Sequence, residues 1–385
     1  MENRKRQKQE KIPVKKRTDR RPVWWLWLPP AAAAGTLLLT ARRVDGFGEW
    51  YVRHVYPLLA QPINRLTRLC PLSVMELLCS ALLLSAPVLL VRLAVQTVRA
   101  AGWRARLARL GRAALRLLDT AAFLGLAFVL LAGVNYSRDS YADISGLPVQ
   151  EASAAELEAM CTDLAALANR QAAALPGRDE NDGMAPTRDV GAAVEAAYRT
   201  AAVHQPQLGG DYARPKRMYG SFMMSRLQLT GVFFPFTVEA NYNGLVPASN
   251  VPFTAAHEMA HLRGFMREDE ANYIAWTVCR VSDDPAVRYS GTLLSLIHAG
   301  NALYGADPAA YHRLLESYND LVRRDMAENN TYWAQFDDTV LSRAEEKVND
   351  AYLKANGQSD GTRSYGRMVD LLLAEWRANK GFLNE

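Results

Sequence analysis

Two histidines four positions apart, with a glutamate beside the first, form the clearest chemical pattern in the chain. They are His257 and His261 with Glu258, within residues 255–276, AAHEMAHLRGFMREDEANYIAW. Residues i and i+4 share one face of a helix, so both imidazoles can bind a single metal ion. Glu258 would point about 100° away around the helix, where it can act as a general base toward a water molecule. The pattern predicts a hydrolytic zinc site, and the alternative is a solvent-exposed helix face.

A third metal ligand is expected shortly after the histidines, because hydrolytic zinc sites use three protein ligands and one open position. After a short turn, Glu268, Asp269 and Glu270 can begin a second helix, where negative charge suits the helix dipole. Glu268 and Asn272 are four residues apart, so one can bind zinc while the other hydrogen-bonds an imidazole. Asp269 and Glu270 remain rival ligands. His298 is a further candidate, although its apolar neighbours favour a core position.

Other polar residues could contact a substrate at such a site. Tyr289, with Arg288 beside it, follows the second helix closely and is a candidate to stabilise an oxyanion. The alternation in FTVEANYN, residues 236–243, predicts a strand just before the histidine motif. If this strand lies at a sheet edge, it can pair with an extended peptide, with Glu239 and Asn241 bordering the cleft. Glu239 could then bind a free amino terminus.

Three apolar runs precede these residues in the chain and determine where the site lies. They are Val23–Thr40, Leu72–Val91 and Leu117–Tyr136, of 18, 20 and 20 residues. About 20 apolar residues cross the hydrocarbon core of a bilayer, so each run predicts a transmembrane helix. The formal net charge is +5, but the basic residues concentrate beside the runs, in residues 1–22 and 92–116. This placement indicates a lipid bilayer as a partner and argues against nucleic acid.

The distribution of basic residues also predicts an orientation. By the positive-inside rule, residues 1–22 and 92–116 are cytoplasmic, and everything after residue 136 is extracytoplasmic. We therefore expect a multi-pass protein of the cell membrane with three parts. These are a basic cytoplasmic tail (1–22), a transmembrane region with a basic cytoplasmic loop (23–136), and an extracytoplasmic domain (137–385). The segment 41–71 would be an outer loop.

The remainder of the chain is dominated by helical periodicity. Glu151–Leu175 carries apolar residues at helical spacing, and Ser153 with Glu156 forms a capping-box pattern at its start. The one clear strand signal lies in residues 236–243. The sequence thus predicts a mainly α membrane protein, with three N-terminal transmembrane helices followed by a helix-rich α+β domain that contains a small sheet.

The metal motif resembles that of a known enzyme group. H-E-x-x-H followed by E-x-x-A-N is similar to the pattern of gluzincin metallopeptidases. The resemblance implies that His257 and His261 are zinc ligands, that Glu258 is the general base, that Glu268 is the third ligand and that Asn272 supports it. It also implies a zincin-like fold for the outer domain.

A closer resemblance extends over most of the chain. Its segments are NYSRD, RPKRMYGSFMMSRLQLTGVFFPFTVEANYN, VPFTAAHEMAHLRGFMREDEANYIAW, VRYSG and GTRSYGRMVDLLLAEW. They are similar, in the same order, to a Gram-positive bacterial membrane-protein family catalogued as domain of unknown function 3810. That resemblance implies a zinc metallopeptidase and supplies no substrate.

These features lead to two functional hypotheses. The first is a membrane-anchored zinc metallopeptidase that hydrolyses a peptide or protein substrate with Glu258 as general base. The second is a catalytically silent zinc-fold sensor or scaffold of the cell envelope. The glutamate of the H-E-x-x-H motif favours the enzyme, because a scaffold has no use for a base beside its metal.

Overall fold

The computed structural model describes residues 25–176, 178, 183–337, 343, 347 and 368–383. The expected basic tail, residues 1–22, lies outside the described residues, as does the GTRSYGR segment, residues 361–367.

The described chain is mainly helical, as its periodicity predicts. Its α-helices are α1 (Leu28–Arg43), α2 (Phe47–His54), α3 (Tyr56–Thr67), α4 (Val74–Val98), α5 (Gly102–Phe128), α6 (Tyr141–Ser145), α7 (Ala154–Ala174), α8 (Val190–His204), α9 (Ser221–Arg226), α10 (Val251–Leu262), α11 (Glu268–Arg280), α12 (Pro285–Ala306), α13 (Pro308–Glu316), α14 (Asp320–Ala334) and α15 (Met368–Asn379). Helix α7 begins with the predicted capping box of Ser153 and Glu156. Helix α5 continues as a π-helix (Val129–Gly133) and a 3-10 helix (Val134–Ser137).

Two helical stretches, not three, are long and apolar enough to cross a membrane within the described residues. They are Val74–Val98 and Gly102–Ser137. The first predicted run forms α1, whose 16 residues span about 24 Å at 1.5 Å per residue. That length falls short of the roughly 30 Å hydrocarbon core of a bilayer. Between α4 and α5 only residues 99–101 are non-helical, so most of the expected loop at 92–116 is helix.

A small mixed sheet lies beside the helix that carries the histidines. Its strands are β1 (Lys216–Met218), β2 (Gly231–Phe234) and β3 (Glu239–Asn243), in the order β1-β3-β2. Strand β1 pairs parallel to β3, and β2 pairs antiparallel to it. The strand predicted around residues 236–243 is therefore central, and the expectation that it forms the edge is wrong. The three-residue β1 is too short for its alternation to signal a neighbour, and β1 and β2 form the two edges of the sheet.

The segment expected as an outer loop, residues 41–71, contains α2 and α3, and both help to build the core. The Tyr56 hydroxyl donates to the Leu262 carbonyl oxygen at 3.2 Å, at the end of α10. The Asn64 amide donates to the Val238 carbonyl oxygen at 2.6 Å and accepts from the Ala213 N–H at 2.6 Å. Thus this segment is part of the same packed unit as the histidine helix, although the chain passes through α4 and α5 in between.

Helix α10 is the most enclosed element near the motif. It packs on α11, α12, β2 and β3, and ten of its 12 residues are buried. Buried polar side chains need partners, because an unpaired polar group in the interior costs free energy. The partners of the polar residues on α10 therefore define the site.

Candidate metal centre

The side chains of His257, His261 and Glu268 converge on one point. The Nε2 atoms of the two histidines on α10 are 3.2 Å apart. Glu268, the first residue of α11, places Oε2 at 3.0 Å from His257 Nε2 and at 3.7 Å from His261 Nε2. Among the described residues, these three side chains form the cluster with metal-binding geometry.

A sharp turn between α10 and α11 brings Glu268 back to the histidines. Gly264 has a φ of +81°, a left-handed conformation that favours glycine. A Cβ atom at this position would lie 2.9 Å from Cγ1 of Val52. The turn therefore requires glycine both for its backbone conformation and for its close approach to α2.

The other nitrogen of each imidazole is held by an oxygen acceptor. Nδ1 of His257 is 2.8 Å from Oδ1 of Asn272, and Nδ1 of His261 is 2.6 Å from the Phe265 carbonyl oxygen. These oxygens accept hydrogen bonds, so in the neutral imidazoles that bind a metal each Nδ1 carries the proton and each Nε2 presents a lone pair. Both lone pairs therefore belong to the atoms that meet Glu268.

The three residues fit a zinc ion. Ligands bound at about 2.0–2.2 Å in a tetrahedron lie roughly 3.3–3.6 Å from one another. The observed separations of 3.0, 3.2 and 3.7 Å bracket that range. Two neutral imidazoles, one carboxylate and one open position also make up the donor set of hydrolytic zinc sites.

Glu258 lies buried beside this cluster and against strand β2. The backbone N–H of Phe233 lies near its carboxylate and favours the ionised form. A Cβ atom at Gly231 would lie 2.4 Å from Oε1 of Glu258, so the glycine leaves room for the carboxylate. Burial raises the pKa of Glu258 to about 7, with the Glu268 charge acting in the same direction and the two histidines opposing it. A carboxylate with a pKa near neutrality can both accept and return a proton.

The cluster is electrostatically coupled. Burial disfavours the protonated form of His261, but the charge of Glu268 outweighs this and raises the pKa of His261 to about 9. Burial also disfavours the charged form of Glu268, yet the histidines hold the pKa of its carboxyl well below the usual range. The Glu268 carboxylate thus stays ionised. A divalent cation can balance its negative charge.

The rival ligands lie outside the cluster. The Glu270 carboxylate accepts from the Tyr141 N–H and from Arg267, each at 2.8 Å, and so ties α11 to α6. His298 packs against the Phe253 ring at 6.2 Å, and burial together with the His257 charge lowers its pKa to about 4. Asp269 is not part of the convergent group either.

The proposed oxyanion residue Tyr289 is fully buried. Its hydroxyl donates to Oδ2 of Asp325 at 2.5 Å, and the same carboxylate pairs with Arg178 at 2.5 Å. The neighbouring Arg288 donates to the Ser282 carbonyl oxygen. The Tyr289 hydroxyl therefore hydrogen-bonds to an ion pair in the core, and the structure does not bring it together with the histidines.

The proposed substrate-binding residues Glu239 and Asn241 point into the interior. Glu239 accepts from the backbone N–H groups of Val74 and Met75 at 3.1 and 2.9 Å, and from Lys216 Nζ at 2.6 Å. Asn241 is fully buried, and its amide donates to the Val232 carbonyl oxygen at 3.4 Å. The groups that Glu239 binds therefore belong to the first turn of α4 and to β1.

Residues that the motif did not indicate complete the site. Gly231 and Phe233 hold Glu258 from the side of β2, and a glycine inside a strand is a sequence signal for such a close approach. The guanidinium of Arg138 lies 3.8 Å from the centre of the Phe265 ring and pairs with Glu49 at 2.8 Å. No local pattern links Arg138 to the histidines, because 123 residues separate it from His261.

Comparison with known proteins supplies the family. The model of the family described as Protein of unknown function (DUF3810) matches residues 51–373. The chain belongs to the DUF3810 family. The resemblance read from the sequence segments is thereby confirmed, and the matched region begins within α2, so it includes the helices that join α10 in the core. No curated protein and no solved structure matched this DUF3810 protein.

Proposed function

We propose that this DUF3810 protein is a membrane-anchored zinc metallopeptidase. The observation that carries the proposal is the convergence of His257 Nε2, His261 Nε2 and Glu268 Oε2 within 4.8 Å of one another, with the buried Glu258 beside them. A purely structural zinc site has four protein ligands. Three ligands and a neighbouring carboxylate match a hydrolytic site better.

Each residue has a defined role in the proposed reaction. His257, His261 and Glu268 would hold a zinc ion, which supplies Lewis acidity toward a water molecule and a carbonyl oxygen. Glu258 accepts a proton from the water as the water oxygen bonds to the peptide carbon. Glu258 then gives this proton to the departing amine as the C–N bond breaks. The products are a carboxylic acid and an amine, and Glu258 returns to its starting state.

Strand β2 is the best-placed element to hold a peptide substrate. It pairs with β3 on one side, and its other side pairs with no strand of the described sheet. The backbone N–H of its residue Phe233 lies near Glu258, and the ring of Phe233 lies 6.0 Å from that of His261. An extended peptide that adds to an edge strand gains main-chain hydrogen bonds. Such a peptide would run past both the base and the metal ligands.

Helices α4 and α5 would anchor the enzyme in the cell membrane as a hairpin. Their connection carries the arginine-rich segment 92–116, which the positive-inside rule assigns to the cytoplasm. The first turn of α4 and Arg138, just after the helical stretch that continues α5, contact the unit that holds the histidines. On this basis the metal site is extracytoplasmic. Helix α1 packs against α5 and would lie along the hairpin.

Zinc content and peptide cleavage test the proposal against the scaffold alternative. The full chain, purified in detergent, should contain about one zinc per chain by elemental analysis, and His257→Ala should contain none. Peptide-library profiling should then find cleavage by the parent and none by Glu258→Gln, which keeps its zinc. Bound zinc without any cleavage would favour the sensor or scaffold, and a folded, zinc-free parent would overturn both hypotheses.

A further inference from the structure

Helix α3 has two faces with different partners. One face is buried against the described residues of 137–385, which we call the metal domain, where Tyr56 and Asn64 make the hydrogen bonds described above. The opposite face is exposed and mainly apolar, with Arg65 at its margin paired to Asp211 at 3.0 Å. It consists of Leu58, Pro62 and Leu66, followed by Leu69 in the turn after the helix, and we call it the apolar stripe. The exposed fractions of the three leucines are 74%, 69% and 79%.

The arrangement of the stripe follows from helix geometry. At about 100° per residue, Leu58, Pro62 and Leu66 fall within an arc of roughly 80°. Tyr56 and Ala60 lie on the opposite side. A surface helix of a water-soluble domain normally presents polar residues on its outer face. A contiguous exposed apolar face therefore calls for a partner.

The stripe lies close, along the chain, to the N-terminal end of α4. Only six residues separate the end of α3 at Thr67 from the start of α4 at Val74. The Thr67 hydroxyl donates to the Thr237 carbonyl oxygen, and Glu239 binds the first turn of α4. The stripe is thus fixed beside the point where the chain would pass into the bilayer.

A second apolar surface flanks the same point. Tyr219, Phe222 and Met223, the aromatic patch, are 79%, 59% and 53% exposed. Glu76, in the first turn of α4, accepts from the backbone N–H groups of Tyr219 and Gly220. The patch is thereby attached directly to α4. Tyrosine and phenylalanine beside the end of a spanning helix suit the interfacial region of a bilayer.

We propose that the apolar stripe and the aromatic patch rest in the outer leaflet of the bilayer and seat the metal domain on the membrane surface. The inference rests on the membrane-anchor part of the proposed function. The bilayer is the chosen partner because both surfaces adjoin α4, which would already be surrounded by lipid. An amphipathic helix of this kind lies in the membrane plane with its apolar face among the headgroups and acyl chains.

This seating defines a class of substrate. Tyr56, on the inner face of α3, donates to Leu262, the residue after His261. Helix α3 therefore separates the end of the motif helix from the lipid, and a helix with its side chains is about 10 Å across. The metal ligands would lie near that height above the bilayer. The site would then reach peptide segments next to the membrane, as found in other membrane-anchored chains.

Spin-label accessibility tests the seating in the full chain, in vesicles of phosphatidylcholine and phosphatidylglycerol. Nitroxides are placed by Leu58→Cys, Leu66→Cys and Phe222→Cys, one at a time, in a Cys70→Ser, Cys79→Ser background, because the other two cysteines are buried. Tyr304→Cys on α12, 56% exposed, is the control. All four positions are exposed, so each substitution should leave the melting temperature of the protein unchanged.

We expect the ratio of oxygen to nickel-complex collisions to be several-fold higher at positions 58, 66 and 222 than at 304. Ratios equal to that at position 304 would place these residues in water and overturn the proposal. Exclusion of both reagents would mean that protein, such as a second copy of the chain, covers the stripe, and would overturn it as well. The measurement needs neither zinc nor activity, so its outcome is independent of the metallopeptidase proposal.

Discussion

The Nδ1 atom of His261 lies 2.6 Å from the carbonyl oxygen of Phe265, four residues further along the chain. An imidazole of the proposed metal site is thus oriented by the backbone of the turn that leads to Glu268. The turn is held in place from outside, because the Arg138 guanidinium stacks on the Phe265 ring and donates to the Arg263 carbonyl oxygen. The geometry of the site therefore depends on its surroundings as well as on its ligands.

Two acidic residues of α11 should have different roles, with Glu268 as a metal ligand and Glu270 as a structural partner of Tyr141 and Arg267. We expect Glu268→Gln to lower zinc affinity by more than about 100-fold, beyond the loss typical of a supporting residue, because it removes a ligand. Glu270→Gln should keep zinc, since its carboxylate binds Tyr141 and Arg267. Competition with a chelator measures both affinities. The ligand assignment is wrong if the pattern is reversed.

Asn272 should act through His257. Asn272→Ala removes the acceptor that holds Nδ1 of His257, so zinc affinity should fall about 10–100-fold, with the affinity again measured by chelator competition. Asn169→Ala is a suitable control, because Asn169 bonds Ser317 and Asn319 and lies on α7. A change that also appears in the control would reflect general destabilisation.

Gly231→Ala should disable the base without removing the metal. The new Cβ would fall 2.4 Å from Oε1 of Glu258, so the carboxylate must move. General-base catalysis contributes about 10²–10⁴-fold in rate, and we expect kcat to fall by at least about tenfold with zinc content unchanged. Gly305→Ala, which meets no atom within 4 Å, should leave kcat unchanged. Equal rates in the two variants would contradict the placement of β2 against Glu258.

The metal domain should depend on α2 and α3 for its stability. A fragment of residues 137–385 lacks Tyr56 and Asn64 and leaves the buried Arg138 without Glu49. Breaking a buried ion pair alone costs about 3–5 kcal/mol, so we expect no cooperative thermal transition by circular dichroism. In the full chain, Tyr56→Phe should lower the free energy of unfolding by about 1 kcal/mol. Tyr304→Phe, at an exposed position, should change it little.

Local spacing accounts for the part of the site that the sequence predicted. His257, His261, Glu268 and Asn272 lie within 16 residues, and helix periodicity relates them in pairs. Gly231, Phe233 and Arg138 come from distant segments, and only the packed fold brings them to the site. The periodicity of the sequence does not report contacts between segments that are far apart in the chain.

The same distinction applies to the membrane region and to the sheet. Hydropathy finds apolar runs correctly, but it does not report where a helix begins, and α1 begins at Leu28, five residues into its run. Alternation found β3 but not its neighbours, since pairing is a long-range property. Glu239 and Asn241 were expected at the cleft because β3 was expected at the edge.

The hydrogen bond between Tyr56 and Leu262 joins residues 206 positions apart, and this fixes an order of events during synthesis. Tyr56 precedes α4 and α5 and Leu262 follows them, so, with these helices as the proposed membrane hairpin, both flanking segments must reach the same side of the membrane before they can meet. The core around the histidines cannot close until the ribosome has passed residue 262 and the hairpin has been inserted. Contacts of such long range also form late. The nascent chain would therefore complete its metal site only after it has been delivered to the membrane.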